Sequence, residues 1–161
     1  MIRKIDISDD FAALTHLLNN AFAAIAQDFG LTKENSPTNN AFITCDELKS
    51  QLTENREFYV YEDNNESLGF IAIERSLSTP GTFYIEKLAV IPTQRHLGIG
   101  LGLMDFASNR IKELDGKRIS IGLIESNTRL KEWYSKQGYK TSAIKTFEHL
   151  PFQVCMMEKY I

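Results

Sequence analysis

At 161 residues the chain has the length of one ordinary domain, able to bury roughly two thirds of its unfolded surface, and a single domain over residues 1–161 is expected. A net charge of −3 argues against a phosphate-neutralising surface, so nucleic acid is not an expected partner. No stretch approaches the roughly 18 apolar residues of a membrane span, and Met1-Ile2-Arg3-Lys4-Ile5-Asp6 has no apolar core of signal-peptide length. The expectation is a cytoplasmic protein with no membrane partner. Cys45 and Cys155 lie too far apart in sequence to form a metal-spacing pair and read as free thiols.

Arg3 to Ile7 reads as a short strand, and Ser8-Asp9-Asp10 offers capping oxygens to a helix carrying Phe11, Leu14, Leu18, Phe22 and Ile25 on one side. That helix should stop near Gly30. Residues 31–43 are polar, contain Pro37 and show neither helical nor strand periodicity, so they form a loop of unusual length. Thr44 then caps a second helix, with Leu48 and Leu52 on its apolar side, that ends near Asn55. Residues 57–62 and 67–75 are strands joined by the turn residues Asp63-Asn64-Asn65-Glu66, and a third strand runs from Thr82 to Val90 after the Pro80-Gly81 turn. Beyond the loop that follows Val90, a helix carries Met104, Ala107, Ile111 and Leu114 and stops near Asp115-Gly116. Arg118 to Ile124 is the next strand, Ser126 or Asn127 caps a short helix that Gly138 ends, and residues 139–147 and 152–159 complete the sheet. The order is βααβββαβαββ, an α/β (α+β) arrangement with helices on both faces of a mixed sheet.

The chain is organised around Val90 to Met104, V-I-P-T-Q-R-H-L-G-I-G-L-G-L-M. A strand ends at Ile91-Pro92, passes through a polar loop and enters a glycine-spaced segment that becomes a helix. The first turn of a helix carries unpaired N–H groups and the positive end of the helix dipole, so this junction can wrap an anion. Gly98 and Gly100 let the backbone approach such a ligand closely. The segment is neither a P-loop, since Gly100 is followed by Leu101-Gly102, nor a dinucleotide fingerprint, since position 103 is leucine. What it contains is V-x-P-x-x-R-x-x-G-x-G, from Val90 through Arg95 and Gly98 to Gly100.

This pattern resembles motif A of the GNAT superfamily, the acetyl-CoA-dependent N-acetyltransferases, whose loop amides hold the pyrophosphate of coenzyme A. The element order is that of the GNAT fold, a mostly antiparallel seven-stranded sheet, so the likeness spans nearly the whole chain. Ser126-Asn127 followed by Tyr134 and by Gly138-Tyr139 resembles the family's motif B, on a helix that faces the thiol end of the cofactor. The tail KTFEHLPFQVCMMEK and the NSPT loop are similar to a subgroup of small bacterial GNAT proteins whose substrate the sequence does not name.

The resemblance implies roles for particular residues. Arg95, His96, Leu97, Gly98, Ile99 and Gly100 supply amides to the cofactor, Arg95 adds charge, and Leu88, Ala89 and Val90 at the strand end complete the cofactor-binding set together with Asn127. The last of these serves equally as a plain N-cap. His96 stands where many family members carry glycine. No second ligand stands at metal spacing from it, and no metal is expected. Amide formation needs a neutral amine, and an alkyl ammonium of pKa about 10.4 is rarely deprotonated at neutral pH, so a base is required. Glu86 is the candidate, with Tyr84 lining the acceptor site. By period two, both share a face with Leu88 and Val90. A solvated glutamate paired with Lys87 or Arg75 is the structural alternative. Tyr134, whose phenol keeps its proton at neutral pH, is the candidate acid for the departing thiolate, against a core tyrosine packed with Leu130 and Trp133.

In this family the acceptor side is built from the connection of the first two helices and the loop between the last two strands. Here these are residues 29–42 and 146–152, which nominate Phe29, Glu148 and His149 for substrate binding. The implied reaction is direct transfer of acetyl from acetyl-CoA to a primary amine of a small molecule or peptide in a ternary complex. A non-catalytic acyl-CoA-binding module and a transferase for a longer acyl chain are the alternatives. A homodimer is an expectation by analogy alone.

Overall fold

Local chemistry starts three of the four helices at a side-chain cap. The Asp10 carboxylate accepts from the Ala13 amide at 3.0 Å and opens the first helix, Thr44 accepts from Glu47, and Asn127 accepts from Leu130. The computed structural model describes residues 1–161, with strands β1 (Ile2–Lys4), β2 (Arg56–Asp63), β3 (Glu66–Arg75), β4 (Thr82–Val90), β5 (Arg118–Ile124), β6 (Lys140–Thr146) and β7 (Gln153–Tyr160). The helices are α1 (Phe11–Asp28), α2 (Cys45–Ser50), α3 (Ile99–Glu113) and α4 (Thr128–Lys136), with a 3-10 turn at Pro92–Gln94.

Two boundaries differ from expectation. β1 ends at Lys4 rather than Ile7, because the Asp6 carboxylate accepts from the Ser8 amide and turns the chain, although the Ile5 amide still donates to Phe58 O. α2 ends at Ser50, well before Asn55, because Thr53 already bridges to Arg56 and starts the next strand pair.

The sheet runs β1-β2-β3-β4-β5-β7-β6. Every neighbouring pair is antiparallel except β4 and β5, which pair in parallel from Thr82↔Arg118 only as far as Tyr84↔Ser120. Past that point the two strands separate. One face packs on α3 through Ile73, Phe83, Ile85, Ile119 and Ile121 against Leu103, Met104 and Ile111. The other packs on α1 and α2 through Phe58, Val60, Phe70 and Ala72 against Leu14, Leu18 and Leu48. A third cluster joins Ala26 and Leu31 to Ile124 of β5, with Phe29, Phe42 and Phe152 against it. It links the long loop to the far half of the sheet across the gap.

The expected common face of Tyr84, Glu86, Leu88 and Val90 is broken. Lys87 has φ of 54°, and the β3/β4 register slips between Phe70↔Ala89 and Ala72↔Glu86. This is a β-bulge, and it resets the alternation. Glu86 therefore pairs with Ala72 of the α1/α2 core, whereas Leu88 packs on the α3 side.

Candidate active site

The glycine-spaced loop forms a row of free donors. The 3-10 turn delivers Arg95 in extended conformation, His96 follows at φ 64° and Gly98 at φ 85°, and α3 begins at Ile99. The first amide to find a helical partner is that of Gly102, which donates to Gly98 O at 3.0 Å. The amides of His96, Leu97, Gly98, Ile99, Gly100 and Leu101 donate to nothing in the protein. Successive N–H groups through left-handed residues at a helix N-terminus form a nest for anionic oxygens. A Cβ on Gly98 would meet no atom within 4 Å, so the space in front of the nest is open.

That space is a cleft of about 960 Å³. Its walls are the end of α1 with Ile25, Asp28 and Phe29, the end of β4 with Leu88 and Val90, the loop from Gln94 to Leu101, and α4 from its cap Asn127 to Lys136. It lies where β4 and β5 part. Of the expected cofactor-binding residues, Leu88, Val90, Arg95, His96, Gly98, Ile99, Gly100 and Asn127 line it, and Phe29 lines it too. Two do not. Ala89 is buried in the α1/α2 core, and the Leu97 side chain points to solvent, leaving only its amide to contribute.

Arg95 is less free than its charge suggested. Its Nε donates to Val90 O at 3.3 Å and its Nη2 to Ala21 O at 2.5 Å, so the guanidinium ties the β4 terminus to α1. The Asn127 side chain is engaged as the α4 cap, accepting from Leu130 at 3.2 Å. Trp133 closes over the loop, its ring atom Cζ2 lying 3.6 Å from where a Gly100 Cβ would stand.

Glu86 lies outside this cleft, on the α1/α2 side beside the bulge. Its partner is neither Lys87 nor Arg75 but Arg56, whose Nη2 reaches Glu86 Oε1 at 3.3 Å and Glu74 Oε2 at 2.8 Å. Arg75 instead lies over the Phe83 ring. Burial, and after it the Glu74 carboxyl, pushes Glu86 up to about 7. Lys87 donates to Asn40 Oδ1 at 2.9 Å, pinning the long loop to the bulge, and burial lowers its pKa. Tyr84 is half-buried next to Glu74 in register and does not line the cleft.

Tyr134 is buried behind Trp133, with ring centroids 5.0 Å apart, and against Tyr139 at 5.8 Å. Its hydroxyl donates to no protein acceptor, and burial raises its pKa. Glu148 and His149 are exposed on the β6–β7 loop, with Phe147 5.7 Å from the His149 ring, and neither reaches the cleft. The residue of that loop that turns inward is Phe152, in the aromatic cluster with Phe29 and Phe42. No group of three or more His, Cys, Asp or Glu side chains is placed to hold a metal.

Several contributors were not singled out from sequence. Gly69 on β3 lets the first turn of α3 approach: a Cβ there would meet Leu103 Cδ1 at 2.9 Å and Ile99 Cγ2 at 3.1 Å. An isolated glycine within a strand pattern was the available signal. Arg56 and Glu74 left no such trace, since only strand register brings them to Glu86.

Comparison with known proteins bears on the fold and the family. Residues 26–161 match the family model described as an acetyltransferase (GNAT) domain, while no curated protein matches the sequence. Among solved structures, the ribosomal-protein-S18-alanine N-acetyltransferase from Escherichia coli superposes with a TM-score of 0.78 at 14% identity, covering 100% of this chain and 93% of that one. The PaiA N-acetyltransferase from Thermoplasma acidophilum, solved with coenzyme A, gives 0.73 at 19% identity over 100% and 98%. An aminoglycoside 6′-N-acetyltransferase complexed with coenzyme A gives 0.70 at 17% over 99% and 96%. These likenesses carry the fold, the family match carries the membership, and the chain belongs to the GNAT family of acetyltransferases.

Proposed function

We propose that the protein transfers acetyl from acetyl-CoA to a primary amine of a small molecule or peptide, with donor and acceptor bound together. The observation that carries this is the row of unpartnered amides from His96 to Leu101 opening onto a cleft formed by the parting of β4 and β5. Such a nest fits a pyrophosphate, and two of the solved structures with this fold hold coenzyme A. When bound, acetyl-CoA supplies an activated acyl carbon. The residues of this chain do the rest.

Leu88, Val90, Ile99 and Trp133 wall the apolar part of the cleft, and the amides of the loop bind the anionic part. Glu86 takes the proton of the acceptor ammonium through water, which its raised pKa of about 7 suits at neutral pH. Tyr134 keeps its phenolic proton and offers it to the departing sulfur. The acceptor enters from the opposite side, between the Lys87–Asn40 tie and the Phe29, Phe42 and Phe152 cluster. The solved structures named for a ribosomal-protein alanine and for aminoglycosides mark the range of amines this fold serves.

The test is thiol release from acetyl-CoA with acceptor pools of polyamines, aminoglycosides, free amino acids and short peptides. Turnover above hydrolysis in one pool is the expected result. Silence in every pool, with acetyl-CoA bound, leaves three readings: an acceptor outside these pools, a longer acyl donor, or an acyl-CoA-binding module.

A further inference from the structure

Three charged side chains from three adjacent strands converge beside the β4 bulge. Arg56 on β2 stands opposite Glu74 on β3, and Glu86 on β4 stands opposite Ala72, one same-face step away from Glu74. A single guanidinium nitrogen, Arg56 Nη2, donates to Glu74 at 2.8 Å and to Glu86 at 3.3 Å. One positive charge thus serves two carboxyls, and two negative charges so close resist each other. The conflict is resolved by a proton. The Glu86 carboxyl, and after it Arg56, hold Glu74 below the usual carboxylate range, while burial and the neighbouring Glu74 raise Glu86. The other charges near the pair are Lys87, tied to Asn40, and Glu47 of α2, which acts on Lys87.

We propose that Glu74 is a positioning residue for the transfer reaction: with Arg56 it holds Glu86 in a carboxyl pair around one guanidinium nitrogen that sets the basicity of Glu86. This rests on the reading of Glu86 as the base. In the step, the acceptor ammonium loses one proton to the Glu86 carboxylate through water. The N–H bonding electrons remain on nitrogen as the lone pair that attacks the acyl carbon. Protonated Glu86, itself partly exposed, then returns that proton to solvent.

The signs are opposed for the two partners. The charge on Glu74 disfavours ionised Glu86, so Glu74→Gln lowers the Glu86 pKa. Arg56 favours ionised Glu86, so Arg56→Gln raises it. The readout is kcat/KM against pH, whose acid limb reports the free enzyme's base. In Glu74→Gln the limb falls by about one pH unit or more, in Arg56→Gln it rises by a similar amount, and the KM for acetyl-CoA stays put in both. A purely structural role lowers both plateaus without moving the limbs apart. Carbon-13 titration of the glutamate carboxyls in the free protein gives a second reading: one carboxyl with a midpoint near 7, absent in Glu86→Gln and shifted down in Glu74→Gln. An enzyme that turns over with an unmoved acid limb in Glu74→Gln overturns the role of Glu74 alone. Ordinary midpoints for all glutamates overturn the pair itself. A pair that titrates as described in a protein that acetylates no amine overturns Glu86 as base, and the role of Glu74 with it.

Discussion

At the scale of single residues, Tyr134 separates an enzyme from a binding module. Its ring is packed between Trp133 and Tyr139, yet its hydroxyl has no partner within the protein. The hydroxyl oxygen is not among the buried polar atoms left unpaired, so it keeps access to solvent in the free protein and is open to a partner that a ligand brings. Tyr134→Phe keeps the ring and removes only that group, so folding and acetyl-CoA affinity stay at the wild-type level. Turnover falls about 100-fold or more if the phenol is the proton donor, within the range expected of a positioned acid. Equal loss of affinity and turnover in this variant would instead make Tyr134 a packing residue. The identity of this candidate was legible in the sequence through motif spacing. Its isolation from hydrogen-bond partners was not, since that depends on which side chains from other elements surround it.

At the scale of elements, the loop into α3 was legible because its chemistry is local. Glycine spacing, a proline after the strand and a polar run specify a helix N-terminus without reference to the rest of the chain. The strand before it was misread for the opposite reason. Alternation placed Glu86 and Leu88 on one face, but Lys87 is held at positive φ by a bond to Asn40, 47 residues away, and that tertiary contact breaks the period. On the β6–β7 loop, Glu148 and His149 lie exposed while Phe152 turns inward, a choice settled by the cluster around Phe152 and not by any local pattern. Within the loop, His96 at φ 64° occupies a conformation that costs a side chain roughly 1–2 kcal/mol. Glycine loses about 0.5–1 kcal/mol of this advantage through its freer unfolded chain. His96→Gly therefore gains stability, by up to about 1.5 kcal/mol, which thermal melting detects as a rise of a few degrees. His96→Val, β-branched at the same φ, moves the melting temperature down. If both variants melt below the wild type, the imidazole makes a stabilising contact that outweighs the strain.

At the scale of the molecule, the sheet is two half-sheets joined by a short seam. β4 and β5 pair over three residue positions, Thr82↔Arg118, Phe83↔Ile119 and Tyr84↔Ser120, and beyond them side-chain packing alone joins the halves across the gap, through the α3-side core that holds Ile85 with Ile121 and through the cluster of Ala26, Leu31 and Ile124. The cleft lies in that gap and is walled from both halves, by β4 and α3 on one side and by α4 on the other. A ligand filling it binds the folded state alone and adds contacts across the weakest line of the fold. At 100 times its dissociation constant, such a ligand stabilises by about 2.7 kcal/mol, which for a chain of this size raises the melting temperature by roughly 5–11 °C. Acetyl-CoA is expected to produce this shift, and Gly98→Val to remove it. Valine at φ 85° strains the loop and fills the open space before the nest, so the baseline of the variant falls as well. The quantity to compare is the shift caused by ligand within each protein. A full shift retained in Gly98→Val detaches binding from the amides of residues 96–101, and the proposed function loses the observation that carries it.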